Sequence, residues 1–410
     1  MQSQSRRAPG RKQPFVRREK WNGRPCARMG NSCSELVVLA AGGHLAEFRF
    51  REGCGLPSLN PLWQAPWTTI DPDTLKRKRN HAYGNASDAG LLSGLAGHNL
   101  CFDYFGPPSE AEAACGLPFH GEAPNLRWKL ESKISSQQGA RIAMSVHLPL
   151  ANLEFSRTLE MHGSDPVVRF EEIARNPKKT DHYFQWAEHV TLGTPFLTRT
   201  ESYVVIPAER AMSDPSGYDE GKALLQSGRE FRWPFAYTTD KKRVDLSWPF
   251  PCKGKGLVTT QLLSNDGPFG FIAAVNSRHS LLLAYVFNKA DFPWVVLWDE
   301  NQAIAAAPWN SRTRARALEF SSSPFPSGRQ AAISRGELFG LPSLDTISAA
   351  GSKTVRFCAF LSVLPANLGK VNDIVVRADH FEIRDARGRT HKAMASGIES
   401  FLSFQKGNAK

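Results

Sequence analysis

The chain has 410 residues, more than one ordinary core needs, so one very large domain or two smaller ones is expected. A hydrophobic share of 41% and a charged share of 22% describe a soluble globular protein, and the most apolar run, 280–287, is strand-sized and far shorter than a membrane span. The net charge of +12 suggests a nucleic-acid partner, but residues 1–28 hold nine Lys or Arg against one acid, Glu19, leaving a mildly basic body and no specific nucleic-acid role.

In chain order, residues 1–33 read as a basic N-terminal tail. It lacks apolar periodicity, carries Pro9, Gly10, Pro14, Gly23 and Pro25, and is expected to be disordered. No apolar stretch follows its charges before Leu36, so it does not read as a secretory signal. From about residue 35, short runs rich in β-branched and aromatic residues alternate with Gly, Pro, Asn and Asp, at 35–39, 46–50, 127–130, 140–148, 155–161, 167–174, 200–206, 270–275, 281–287 and 294–298. Val167-Val168-Arg169-Phe170-Glu171-Glu172-Ile173 trades polar and apolar sides as a half-buried strand requires. Only 110–115 and 219–226 suggest short helices. Strands at this density predict an all-β fold of large stacked antiparallel sheets: a single domain over 34–400, with a tail at 401–410. There is no phosphate loop, dinucleotide fingerprint or internal repeat.

Within this frame several segments carry chemistry. The loop 60–72 holds Trp63 and Trp67 among three prolines; its indoles are either platforms for sugar rings or buried under a loop folded back on a sheet. The run Lys76-Arg77-Lys78-Arg79 reads as a solvated loop. Gly97-His98-Asn99-Leu100-Cys101-Phe102-Asp103 sets three polar side chains between glycines, and its His-x-x-Cys spacing is only a weak metal signal, so no metal is expected. His120 stands before Gly121 on an exposed turn. His189 lies in Trp186-Ala187-Glu188-His189-Val190-Thr191-Leu192-Gly193, read as a strand end beside a cleft, where an imidazole can transfer protons. Glu319 is a carboxylate inside the apolar run 315–320, which raises its pKa unless it pairs with Arg316 or Arg314. Seven scattered cysteines describe no disulfide framework and fit a reducing, cytoplasmic compartment.

This order of residues resembles the aldose 1-epimerase (galactose mutarotase) family, in particular its divergent bacterial members. The resemblance spans roughly 35–385 and rests on Gly42-Gly43-His44, His120-Gly121, Glu188-His189 and Leu318-Glu319. It implies a galactose mutarotase-like β-supersandwich and interconversion of the α and β anomers of an aldose without a cofactor. It further implies Glu319 as base, His189 as acid and His120 as a ligand of the ring oxygen or a neighbouring hydroxyl. The partner is then a small-molecule carbohydrate, and no membrane is involved.

The chain departs from the family pattern where an arginine is expected upstream of His120. His98, Asn99 or Asp103 is expected to take over hydroxyl binding there, with Asp299 near the place of the family's aspartate and Trp63, Trp67 or Trp186 as stacking surfaces. A non-catalytic sugar-binding protein on the same fold is the alternative, and a lyase or hydrolase pairing Glu122 or Glu188 with Glu319 is a further one.

Overall fold

The computed structural model describes residues 12–76, 81–218 and 221–403. Two antiparallel sheets dominate. The larger has 13 strands, and its centre runs His98–Cys101, Ala187–Gly193, Arg314–Ser321, Trp294–Asn301, Lys255–Leu263. The second has 8 strands, among them Leu153–His162, Val167–Arg175, Leu281–Asn288 and Ser352–Val363. Their inner faces meet in one core, where Phe320 of the larger sheet stacks on Phe287 of the smaller at 4.4 Å and sits edge-on to Phe357 at 5.2 Å.

A third layer covers the far side of the smaller sheet. It is a meander of Val371–Arg377, His380–Asp385 and Thr390–Met394, followed by the helix Ile398–Ser403. Phe381 of the meander stacks on Phe360 at 4.2 Å. This layer explains the continuous apolar run at 281–287. Leu281, Leu283, Tyr285 and Phe287 face the main core, while Leu282, Ala284 and Val286 face the meander, so both sides of that strand are dry. No helix among the described residues is long and apolar enough to cross a membrane.

The expectation of a disordered tail over 1–33 needs correcting from Phe15 onward; residues 1–11 lie outside the described residues. Phe15–Trp21 and Arg24–Gly30 form a hairpin at the edge of the larger sheet. Its turn is Asn22-Gly23, with φ of 48° and 84°, a two-residue connection of the sort that fits strand twist. Two of its cations are paired inside the fold: Arg28 reaches Glu19, Glu35 and Glu47, and Arg24 reaches Asp71, while Arg17, Arg18 and Lys20 are exposed. Met29 and Ala27 enter the main core, and Trp21 and Cys26 a smaller cluster with Val37 and Leu39. At the other end, Phe401 lies within the last helix, and 404–410 lie outside the described residues.

Of the two expected helices, Glu110–Ala114 forms, closed by a capping box between Ser109 and Glu112. The second does not. Residues 221–226 run as turns with isolated bridges from Ala223 to Gly256 and Leu225 to Thr238, and 219–220 lie outside the described residues, as do 77–79 of the basic run. All seven cysteines are free thiols.

Deleting residues 1–30 uncovers the apolar surface that Trp21, Cys26, Ala27 and Met29 bury. The loss should be about 3 kcal/mol or more of stability, read as a lower denaturant midpoint. An unchanged midpoint would show that the hairpin does not belong to the cooperative fold.

Candidate functional site

Side chains in a strand alternate between two faces, and this alternation builds the site. Along Ala187–Gly193, Glu188, Val190 and Leu192 turn toward the other sheet, and His189 and Thr191 turn outward. The neighbouring strands follow suit. Register sets Asn99 opposite His189, His189 opposite Glu319, and Glu319 opposite Val296. One row of outward side chains, Asn99–His189–Glu319, therefore crosses the middle of the larger sheet. His189 is not at a strand end, as its neighbours Gly193 and Pro195 suggested, but on a central strand well before the break.

Within this row His189 Nε2 lies 3.3 Å from Glu319 Oε1, and His189 Nδ1 lies 3.0 Å from Thr191 Oγ1. Burial pushes the Glu319 carboxyl well above its ordinary range and holds His189 down at about 3. Both shifts favour the uncharged forms of the two groups, a protonated Glu319 carboxyl facing a neutral His189 imidazole. The alternative, carboxylate with imidazolium, holds the same single proton and the same zero net charge. The two forms differ by the transfer of one proton between neighbouring sites. Glu319 Oε2 and Asn99 Oδ1 are buried and accept no hydrogen bond from the described residues, and both residues line the cavity.

His120 joins from a loop. Its ring centroid is 5.6 Å from that of His189. Gly106 N–H donates to His120 Nδ1 at 3.0 Å, and burial keeps the imidazole neutral, so its remaining hydrogen is on Nε2 and available to donate. The loop requires Gly121: its φ is +80°, and a Cβ there would stand 2.1 Å from Phe102 O.

These residues floor a cavity of about 940 Å³. Trp63, Trp298 and Trp309 form one wall together with Leu91 and Leu92, and Phe119 and Pro326 also line it. Asp214 lies across the floor: its N–H bonds Val258 O, and Val258 is paired with Trp298. Burial raises the Asp214 carboxyl, which accepts the Ser216 N–H at 2.8 Å. Asp214, Trp298 and Trp309 are absent from the sequence reading. Trp298 is the one that alternation could have supplied, since it is out of phase with the inward Val295 and Leu297.

The expected residues thus divide. His120, His189, Glu319, Asn99 and Trp63 line one cavity. Trp67 does not; it is half-buried and lines a neighbouring recess, although its ring touches Trp63 and Trp309. Four others are corrected outright. His98 is fully buried between the sheets, with Nε2 2.7 Å from Glu188 Oε2 and Nδ1 3.2 Å from Tyr285 Oη. Trp186 shares that cluster and donates to Glu188 Oε1 at 2.9 Å. Asp103 is buried under His182 and Arg329. Asp299 is in phase with the core side of its strand and pairs with Arg316 at 3.0 Å, which also removes Arg316 as a partner for Glu319.

Glu188, Glu122 and the His-x-x-Cys spacing have structural accounts of their own. Glu188 faces away from Glu319 and binds Arg157, so the two cannot form a carboxylate pair across a cleft. Glu122 is engaged by the N–H groups of Leu150 and Ala151. His98 and Cys101 lie on opposite faces of their strand, so the His-x-x-Cys spacing makes no metal site.

No protein-family model matches the sequence, and no curated protein matches it. Solved structures do. A candidate aldose 1-epimerase from Klebsiella pneumoniae subsp. pneumoniae superposes with a TM-score of 0.59 at 15% identity, over 84% of this chain and 80% of that one. A galactose mutarotase-like protein from Clostridium acetobutylicum gives 0.57 at 13% identity, over 86% and 99%. A candidate mutarotase from Salmonella typhimurium gives 0.55 at 12% identity, over 85% and 94%. At such identities the likeness speaks for the fold alone, and the chain has the galactose mutarotase-like β-sandwich fold.

The neutral pair can be observed directly. In ¹⁵N NMR of the imidazoles, His189 and His120 should stay uncharged as pH falls through the ordinary value of 6.5 to about 5, because the folded protein resists protonating them. Titration of His189 near 6.5 would contradict the assignment.

Proposed function

We propose that the chain is an aldose 1-epimerase-type isomerase that interconverts the anomers of a reducing sugar by opening and closing its ring. The observation that carries this reading is the His189–Glu319 pair, 3.3 Å apart, on the floor of a cavity that also receives His120.

Ring opening moves one proton off the C1 hydroxyl and one onto the ring oxygen while the C1–O5 bond breaks and C1=O forms. With the shared proton on His189, Glu319 is a carboxylate ready to take the hydroxyl proton, and His189 is an imidazolium ready to protonate O5. After the step His189 is neutral and Glu319 is protonated. That is the arrangement burial prefers in the empty site, so the pair returns to its resting form without exchanging protons with solvent. Rotation about C1–C2 and the reverse transfers close the ring on the other face. His120 Nε2–H suits the oxygen that gains negative charge. No step calls for a metal or cofactor.

Freshly dissolved single anomers of several aldoses, followed by polarimetry, test this. The wild-type protein should speed relaxation of at least one sugar, and Glu319→Gln should lower kcat by about 10²–10⁴. Equal relaxation with both proteins across all sugars would sink the mechanism. Sugar binding without turnover would instead favour a carbohydrate-binding protein, to which half-buried Trp298 beside His189, with centroids 6.1 Å apart, would be suited.

A further inference from the structure

A single sugar ring fills only part of the cavity, whose volume of about 940 Å³ is at the upper end for sites that enclose drug-sized ligands. The surplus space has a direction. From His189 an unbroken line of rings leads outward: Trp298 at 6.1 Å, Trp309 5.8 Å beyond it, and Trp67 4.9 Å beyond that. Trp63 stacks beside Trp309 at 6.1 Å and closes the row from behind. The two most covered indoles, Trp63 and Trp309, are the middle of the ridge. Trp298 at its inner end and Trp67 at its outer end are half-buried and present free surface.

The ridge does not stop at the cavity wall. Trp67 belongs to a second recess of about 680 Å³, lined also by Trp21, Gln64, Thr68 and Arg312, and Leu95 borders both spaces. The same two loops build both: 60–72 sends Trp63 to one side and Trp67 to the other, and 302–313 does the same with Trp309 and Arg312. The Trp67 indole N–H is spent on Leu92 O at 2.9 Å, which fixes the ring and leaves its carbon surface. Arg312 is exposed, and its side chain makes no hydrogen bond or ion pair with the described residues; Gln64 and Thr68 are exposed beside it. Apolar ring faces bordered by uncommitted hydrogen-bonding groups suit a pyranose, which has C–H faces and a rim of hydroxyls.

The charge of the cavity narrows the ligand further. Among the described residues lining it there is no Lys or Arg, while Asp88, Asp214 and Glu319 are all present. Arg127 is committed to Asp71 and Asp73 and Arg141 to Glu160, and the exposed Arg312 borders the second recess rather than the cavity over His189. A phosphate on the ring over His189 would meet acidic side chains and no Lys or Arg among the described residues lining the cavity.

Resting on the proposed function, we infer that the substrate is an uncharged reducing oligosaccharide. Its reducing-end ring lies over His189 and Glu319, and its following rings track the Trp298–Trp309–Trp67 ridge into the second recess.

The test compares glucose, glucose 6-phosphate, maltotriose and cellotriose. Anomer exchange is read by NMR magnetisation transfer between the anomeric protons, and binding by quenching of tryptophan fluorescence. One of the neutral trisaccharides should exceed glucose in kcat/KM by about ten-fold, the worth of one stacked ring, and glucose 6-phosphate should fall below glucose. Trp67→Ala, checked for an unchanged melting curve, should bring the trisaccharide-to-glucose ratio back toward one; Arg312→Ala is a second variant that removes no core side chain. Turnover of glucose with no gain from either trisaccharide, or a preference for the phosphate, would overturn this inference and leave the proposed function standing. Tighter binding of a trisaccharide that depends on Trp67, with no exchange of any sugar, would overturn the catalytic reading and support the extended site. Neither binding nor exchange with any of the four would overturn both.

Discussion

Everything at this site depends on the two-residue alternation of side chains along the central strands of the larger sheet. Because Val190 and Leu192 must face the core, His189 and Thr191 must face out, and the same phase in the flanking strands delivers Asn99 and Glu319 beside them. A slip of one residue would exchange His189 with Glu188 and bury the wrong group. Register is held by packing such as Phe320 on Phe287, which fills the inner face of the strand that carries Glu319 outward. The His189–Glu319 pair is therefore placed by the apolar residues behind it.

The inner face also carries a charged cluster. His98, Arg157, Glu172 and Glu188 are all fully buried between the sheets, joined to Tyr285 and Trp186, and Arg157 reaches Gly43 O at 2.9 Å. Such a group contributes little net stability, since desolvation offsets much of the attraction, but removing one member costs about 3–5 kcal/mol. Glu188 and His98 are chain neighbours of His189 and Asn99. The backbone under the site is thus tied at adjacent positions to strands of the other sheet, an arrangement that resists sliding. Burial acts on the outer face too, where it favours the uncharged forms of the Glu319 carboxyl and the His189 imidazole.

Much of the fold was legible in the sequence because its strands are short, alternating or doubly buried, as at Val167–Arg175 and Leu281–Asn288. The edge hairpin was not, because charge density and Gly23 read as disorder, while Asn22-Gly23 is equally a hairpin turn and Arg28 finds three carboxylates only once the strands pair. At the site, His120, His189 and Glu319 could be read from order and residue type. Strand phase separates the others: Asp299 follows Val295 and Leu297 inward where Trp298 turns out, and Trp186 follows Glu188 rather than His189. Asp214 and Trp309 come from loops whose path is set by tertiary contacts, so no local pattern announced them.

The central claim is that His189 and Glu319 act as one proton-sharing unit rather than as two independent contributors. A double-mutant cycle on kcat for anomer exchange, with His189→Asn, Glu319→Gln and the two combined, tests it most directly. The account predicts that either single change removes nearly all of the rate enhancement and that the double variant is no slower than the slower single one. Losses that multiply, or a single variant that keeps wild-type kcat, would contradict it.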